Sequence, residues 1–410
     1  MASNLKSDHP DAAWRLDLRR IGAISAGHFY SHLGILLLPP LFPILKDVFA
    51  VSYTELGLAL ACLNFATLIL QAPCGALVDR FGAVTILLAG HLLMSLAMLA
   101  IGFTQSYAML LVLMTLAGVG NAVYHPADYS ILSATIAENR LGRAFSIHTA
   151  AGHFGFAAPP LIILYLANWL GWQGAMITAG LLGVAIGLII WLNRAALGTA
   201  GTSKPAQPHT AKQQWQLVTS LPVLASFAFF TMIAVSQGGL TGYSVASIAL
   251  IHEIDLTLAA WPLTAFLTLS AIGVLAGGLI ADRTRRHGWI CMGCYGLMTV
   301  LLIPLALAVL PFWLTLVIFA IAGFANGFLS PARDLLVRAV TPQGQAGIVF
   351  GFVTTGFNVG GLIAPVVFGA VMDWLAPRDL FLAVSIACLL TIATIYAGQR
   401  LQTRNTDRAP

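Results

Sequence analysis

Gly75-Ala76-Leu77-Val78-Asp79-Arg80-Phe81-Gly82 lies between two apolar stretches, and Gly278-Leu279-Ile280-Ala281-Asp282-Arg283 lies between two others, 203 residues later. The recurrence extends beyond these turns. Gly118, Asn121, Pro126 and Ala127 return at an offset of 205 as Gly323, Asn326, Pro331 and Ala332. At the same offset Gly142, Phe145, Gly155 and Pro160 return as Gly347, Phe350, Gly360 and Pro365. The chain is a duplication. Around the repeated turns run apolar segments at approximately 20–45, 54–77, 83–103, 106–132, 142–167 and 171–193, then 217–251, 257–280, 287–309, 312–338, 345–372 and 378–399. Each is long enough for a helix to cross a bilayer, which takes about 20 residues.

Composition leaves no other class. Of 410 residues 59% are hydrophobic and 9% charged, with a mean hydropathy of +0.87. A soluble domain carries about 25% charged residues, so this chain is not a cytosolic enzyme, a secreted domain or a disordered segment. A transmembrane barrel would show short alternating strands rather than long apolar runs. The expected fold is an all-α integral membrane protein with twelve transmembrane helices in two pseudo-symmetric six-helix halves. The segments read as an N-terminal tail (1–19), a first half (20–194), a linker rich in Gly, Ser and Pro (195–216), a second half (217–399) and a C-terminal tail (400–410). Parallel halves imply a pseudo-two-fold axis along the membrane normal, with a substrate site between them near mid-bilayer.

Charge follows topology. With the N-terminus inside, eighteen of the twenty Lys and Arg residues fall on the cytoplasmic side, and only Lys46 and Arg378 on the other. Both termini are therefore expected in the cytoplasm. The net charge of +5 is dispersed and gives no nucleic-acid footprint. Cys291 and Cys294 form a CxxC without a second pair of ligands and read as packing residues. No cofactor motif, P-loop, HExxH or GxSxG is present.

The turn motif, in this position and twice repeated, resembles that of the major facilitator superfamily, and the resemblance runs from about residue 18 to 400. The basic residues that usually close the motif are replaced after Gly82 by Ala83 and Val84, whereas the second copy keeps Arg285 and Arg286. Leu38-Pro-Pro-Leu-Phe-Pro-Ile-Leu-Lys-Asp-Val-Phe49 with Ser52-Tyr-Thr-Glu-Leu-Gly57, and Tyr124-His125-Pro126, are similar to the fosmidomycin-resistance-type bacterial branch. The resemblance implies transport by alternating access, with Asp79, Arg80, Asp282 and Arg283 holding one gated state.

Polar side chains inside the apolar runs are functional candidates by default. Ser25, His28 and His32 share a face of the first helix. His32 lies about 18 Å along the helix from Arg20, near mid-bilayer. Asn121, His125 and Asp128 form a stripe on the fourth helix, matched on the tenth by Asn326, Ser330 and Arg333, with Asp334 beside it. An acid in one half facing a base in the other fits either a structural ion pair or a gate. His148 lies toward the cytoplasmic end of the fifth helix, with His153 deeper and Asn358 as the repeat-mate of His153. Gln237 matches His32. His91 stands alone on a helix usually outside the cavity and reads as a core group.

These residues predict a secondary transporter of a small organic solute in the inner membrane, not an enzyme, monomeric and without cofactor. Efflux of a drug or metabolite is the leading reading, and import of an organic anion or vitamin-like metabolite the alternative. A membrane-embedded sensor or enzyme fits the duplication poorly. Protons are the expected coupling ion. No carboxylate lies near mid-bilayer on helices 1 and 7, which leaves His28 or His32, supported by His153.

Overall fold

A computed structural model describes residues 10–198, 211–281, 283–342 and 345–406. Asp282, one of the expected gate residues, lies outside them. The described residues form α1 (Pro10–Ile35), α2 (Tyr53–Phe81), α3 (Ala83–Ile101), α4 (Tyr107–Asn121 with Tyr124–Thr135), α5 (Glu138–Ala157 with 159–170), α6 (172–192), α7 (Leu221–His252), α8 (Leu256–Ala281), α9 (His287–Leu307), α10 (Phe312–Phe328 with Ser330–Ala339), α11 (Ala346–Trp374) and α12 (Asp379–Thr406). A short helix, Ala211–Val218, sits in the linker. The first helix begins at Pro10, inside the segment read as a tail. There Asp17 is buried against Arg140 at 2.7 Å, while Arg20 donates to the carbonyls of Thr135 and Ala196.

Local chemistry sets the helix limits. Ser52 and Glu55 make a reciprocal capping box at the start of α2. Pro39 and Pro40 turn the end of α1 into a 3₁₀ segment, Pro39–Leu41, which runs into Phe42–Phe49 and stops at a left-handed Ala50. Gly171 (φ 70°, ψ 167°) breaks the continuous stretch Pro159–Leu192 into the end of α5 and the whole of α6. The direction reverses there: Gly102, just past the end of α3, approaches Gln173 and Ile177, while Gly187 reaches back to His91 in mid-α3. Pro126 and Pro331 interrupt α4 and α10 at equivalent repeat positions, since a proline has no N–H for the carbonyl four residues earlier.

The two halves pack alike. In the first, α1 lies on α5, α2 on α4 and α3 on α6, and in the second α7 lies on α11, α8 on α10 and α9 on α12. Between halves α2 meets α11 and α5 meets α8. Glycines allow the closest approaches. An added Cβ at Gly323 or Gly327 of α10 would meet the carbonyls of Phe266 and Ser270, and one at Gly273 or Gly277 of α8 would meet those of Phe324 and Phe328. Small residues four apart on both partners let the two backbones touch. Outside, Trp169 and its repeat-mate Trp374 are more than four-fifths exposed at the ends of α5 and α11, as expected of an aromatic belt at a bilayer interface.

Candidate functional site

Both α1's start and α12's end lie on one face, here the terminal face, and the halves are joined at the other. Two polar bridges cross between the halves there. Asp373 of α11 accepts hydrogen bonds from the backbone N–H groups of Tyr53 and Thr54 at 2.9 and 2.8 Å and from the Thr54 hydroxyl at 2.6 Å. Asn168 of α5 donates to the Thr257 hydroxyl of α8 at 2.9 Å. The bridges are images of one another, because Asn168 precedes Asp373 by 205 residues and Thr54 precedes Thr257 by 203. In the first the carboxylate also meets the positive end of α2. Tyr243 adds hydrogen bonds to the carbonyls of Tyr53 and Pro365, and its ring tilts against Phe42.

Below these bridges, toward the terminal face, a cavity of about 430 Å³ lies between the halves. Such a volume suits a small organic molecule. Of the residues singled out from sequence, His32, Asn121, His125, His153, Gln237, Asn326, Asn358 and Arg333 line it. The proline interruptions of α4 and α10 lie beside it and bring His125 and Ser330 to its wall. Gln237 donates to Asn326 at 2.7 Å and Asn326 to Ser270 at 3.1 Å. Across the pseudo-axis Asn121 is within 3.4 Å of the Thr67 hydroxyl, which occupies the repeat position of Ser270. Arg333 is the one Lys, Arg, Asp or Glu among the lining residues. Its Nε donates to the exposed Asp334 at 2.8 Å, and its guanidinium lies 5.1 Å from the ring of Phe230 and 5.3 Å from that of Phe357.

Sequence reasoning passed over Asn64, Thr67 and Gln71, which also line the cavity. Their i, i+3, i+7 spacing on α2 is the signal that could have found them. His28 is not in the wall; it is buried behind it. Asp128 is wholly buried among residues of its own half, with Oδ2 3.6 Å from Nδ1 of His28 and 3.5 Å from Nε2 of His148. The structure thus gives Asp128 two imidazole neighbours, whereas Arg333 pairs with Asp334. Asp79 and Arg80 are exposed, as is Arg283. Asp79 borders a shallow depression with Pro126, Tyr129 and Ser133 of α4. His91 is a core group: its Nε2 donates to the Gly183 carbonyl at 2.8 Å, and its Nδ1 accepts from Tyr124 at 2.7 Å.

Two repeated halves around one cavity match a known architecture. The family model for the Major Facilitator Superfamily matches residues 24–246 and again 234–408. The chain belongs to that superfamily. It stands close to the fosmidomycin-resistance branch. It is 25% identical over 386 residues to the fosmidomycin resistance protein of Escherichia coli (strain K12), covering 92% of each chain. It is 23% identical over 359 residues to the D-galactonate transporter of Escherichia coli O6:H1, covering 79% of this chain and 82% of that one. A bacterial homologue of the human lysosomal transporter Spinster, solved in an inward-facing and occupied conformation, superposes with a TM-score of 0.78 at 15% identity, covering 96% of this chain and 98% of that one. As a superfamily member the chain is a multi-pass secondary transporter and not an enzyme.

Proposed function

We propose that this superfamily member moves a small organic anion across the inner membrane by alternating access, coupled to the proton gradient. Arg333 carries the reading, as the one formal charge among the residues lining the cavity, with no carboxylate opposing it in the wall. A guanidinium resting beside two aromatic rings offers a planar fork that fits a carboxylate, phosphonate or sulfonate. The amides of Asn64, Gln71, Asn121, Gln237 and Asn358 around it suit hydroxyl groups on the same solute. A relative named as a transporter of D-galactonate, a polyhydroxylated acid, supports this class. For coupling, His153 brings an imidazole to the same cavity, and imidazole is the side chain whose charge ordinarily changes near neutral pH.

Reconstitution in proteoliposomes tests the reading. Polyhydroxy acids and phosphonates should be taken up or expelled under an imposed pH gradient, and the sign of the gradient that drives accumulation gives the direction. His153→Gln should keep exchange of substrate while losing gradient-driven accumulation. A protein that carries only neutral or cationic solutes would overturn the anion assignment.

A further inference from the structure

The residues lining the cavity change in character with depth. Along α2 from Thr54 at its bridge, Leu60 and Leu63 stand about 9 and 14 Å down, at a rise of about 1.5 Å per residue. Asn64, Thr67 and Gln71 follow at about 15, 20 and 26 Å. α8 repeats the order from Thr257 at the other bridge, with Phe266 and Leu267 about 14 and 15 Å down and Ser270 about 20 Å. On α11, Pro365 lies about 12 Å from Asp373 and Asn358 about 23 Å. Arg333 ends the series, beyond Asn326 on a helix that runs toward the terminal face.

Helices from both halves therefore agree. The end under the bridges is apolar, the middle carries amides, and the far end carries the charge. Polar groups at the apolar end are already spent on backbone: the Thr241 hydroxyl donates to the Gln237 carbonyl at 3.0 Å, and that of Tyr243 to the carbonyls of Tyr53 and Pro365. The amides of Gln71 and Asn358 have no hydrogen-bond partner among the described residues and are open to a solute.

The apolar end also has room. Gly242, next to Tyr243 on α7, lines the cavity, and an added Cβ there would meet nothing within 4 Å. A polyhydroxylated acid can satisfy Arg333 and the amides, but it leaves Leu36, Leu60 and Leu63 without a contact. An apolar group in that space gains both its own desolvation and dispersion contacts with those side chains. Hydroxyls placed there would be buried with no partner left to take them.

We propose that the substrate is an amphipathic organic anion that enters in one orientation: acid at Arg333, a hydrogen-bonding middle at the amides, and an apolar end of a few carbons beside Gly242 under the bridges. This rests on the anion reading and adds the apolar end and the orientation. N-acylglycines test it, because they carry a carboxylate, an amide and an acyl chain in that order. Their binding to the full chain in lipid nanodiscs is measured by equilibrium dialysis, with empty nanodiscs as the blank. From acetylglycine to hexanoylglycine each added methylene should tighten binding by up to about fourfold, the worth of one buried CH₂. Gly242→Leu fills the apolar end and should abolish that gain. Should this variant not fold, Leu60→Asn removes apolar surface at the same end and should flatten the gain instead. Gln71→Leu should weaken every member of the series and keep the gain per methylene. Acids that bind equally whatever their length, a gain undiminished in Gly242→Leu and Leu60→Asn, or no binding while polyhydroxy acids are transported would each overturn this proposal and leave the anion reading standing. Neutral N-acylglycinamides that bind as tightly as the acids would remove the anion reading and this proposal with it.

Discussion

Arg333 and His91 show how two polar residues in apolar helices come to opposite ends. Arg333 reaches the cavity with its plane fixed by Phe230, Phe357 and the Asp334 carboxylate. Losing one charge-assisted hydrogen bond costs about 1.5–3 kcal/mol. Arg333→Gln should therefore raise the half-saturation concentration for an anionic substrate about 10–100-fold, measured by uptake into proteoliposomes. Arg333→Lys should recover little, because a point charge cannot replace the fork. His91 has both ring nitrogens occupied inside the core by Gly183 and Tyr124. His91→Leu strands two buried partners and should cost about 1–3 kcal/mol of stability. Substrate preference should stay as it was; a changed substrate profile would mean that His91 reaches the cavity. The sequence alone read His91 as a core group by its isolation, and marked Arg333, the repeat-mate of Asp128, for an ion pair or a gate with that residue, whereas Arg333 pairs with Asp334 and lines the cavity. It could not show which partner each residue takes, since packing among the helices decides that.

At the scale of helices, the pairing of α8 with α10 depends on glycine more than on any polar bond. Gly273 and Gly277 interleave with Gly323 and Gly327, each under a carbonyl of the other helix. Dispersion between backbones in contact replaces the hydrophobic drive that lipid cannot supply. Gly327→Leu must push the helices apart and should destabilise the protein by about 1–3 kcal/mol or more, read as a lower thermal midpoint in detergent. Gly296→Ala on α9, where an added Cβ meets nothing within 4 Å, is the matched control and should leave the midpoint unchanged. The helices themselves were legible from apolar runs and turn residues. The interleaving was not, because glycines four apart are common on helices that face lipid. Which of them meet a neighbour depends on how the helices rotate about their axes.

Across the whole molecule, closure is built from the duplication. The Asp373–Thr54 and Asn168–Thr257 bridges occupy the same place in the two repeats and join the halves on one face while the cavity extends toward the other. Alternating access needs such bridges to be breakable. Asp373→Asn weakens the contact with the α2 terminus and should shift the population toward opening on that face. Distances between spin labels across the mouth would report it as a longer component. Adding Asn168→Ala should enlarge that component further, and an unchanged distribution in the double variant would show that the apolar contacts alone hold the halves shut. On the terminal face, Asp79→Asn should slow transport and leave substrate binding measurable. Wild-type rates in that variant would remove Asp79 from the gate.

The sequence by itself determined the class, the helix count and the duplication, because lipid admits only long apolar helices and a repeat is visible as an offset between matching residues. It also marked eight of the polar side chains in the cavity wall, since a polar side chain in a transmembrane run must face something other than lipid. What it faces is a tertiary fact. Only the structure showed that His28 turns away from the cavity to meet Asp128 and His148, and that Asn64 and Gln71 turn into it. Only the structure joined Asp373 to Thr54, 319 residues apart. The period of a helix fixes which residues share a face, but the direction of that face is set when twelve helices pack at once.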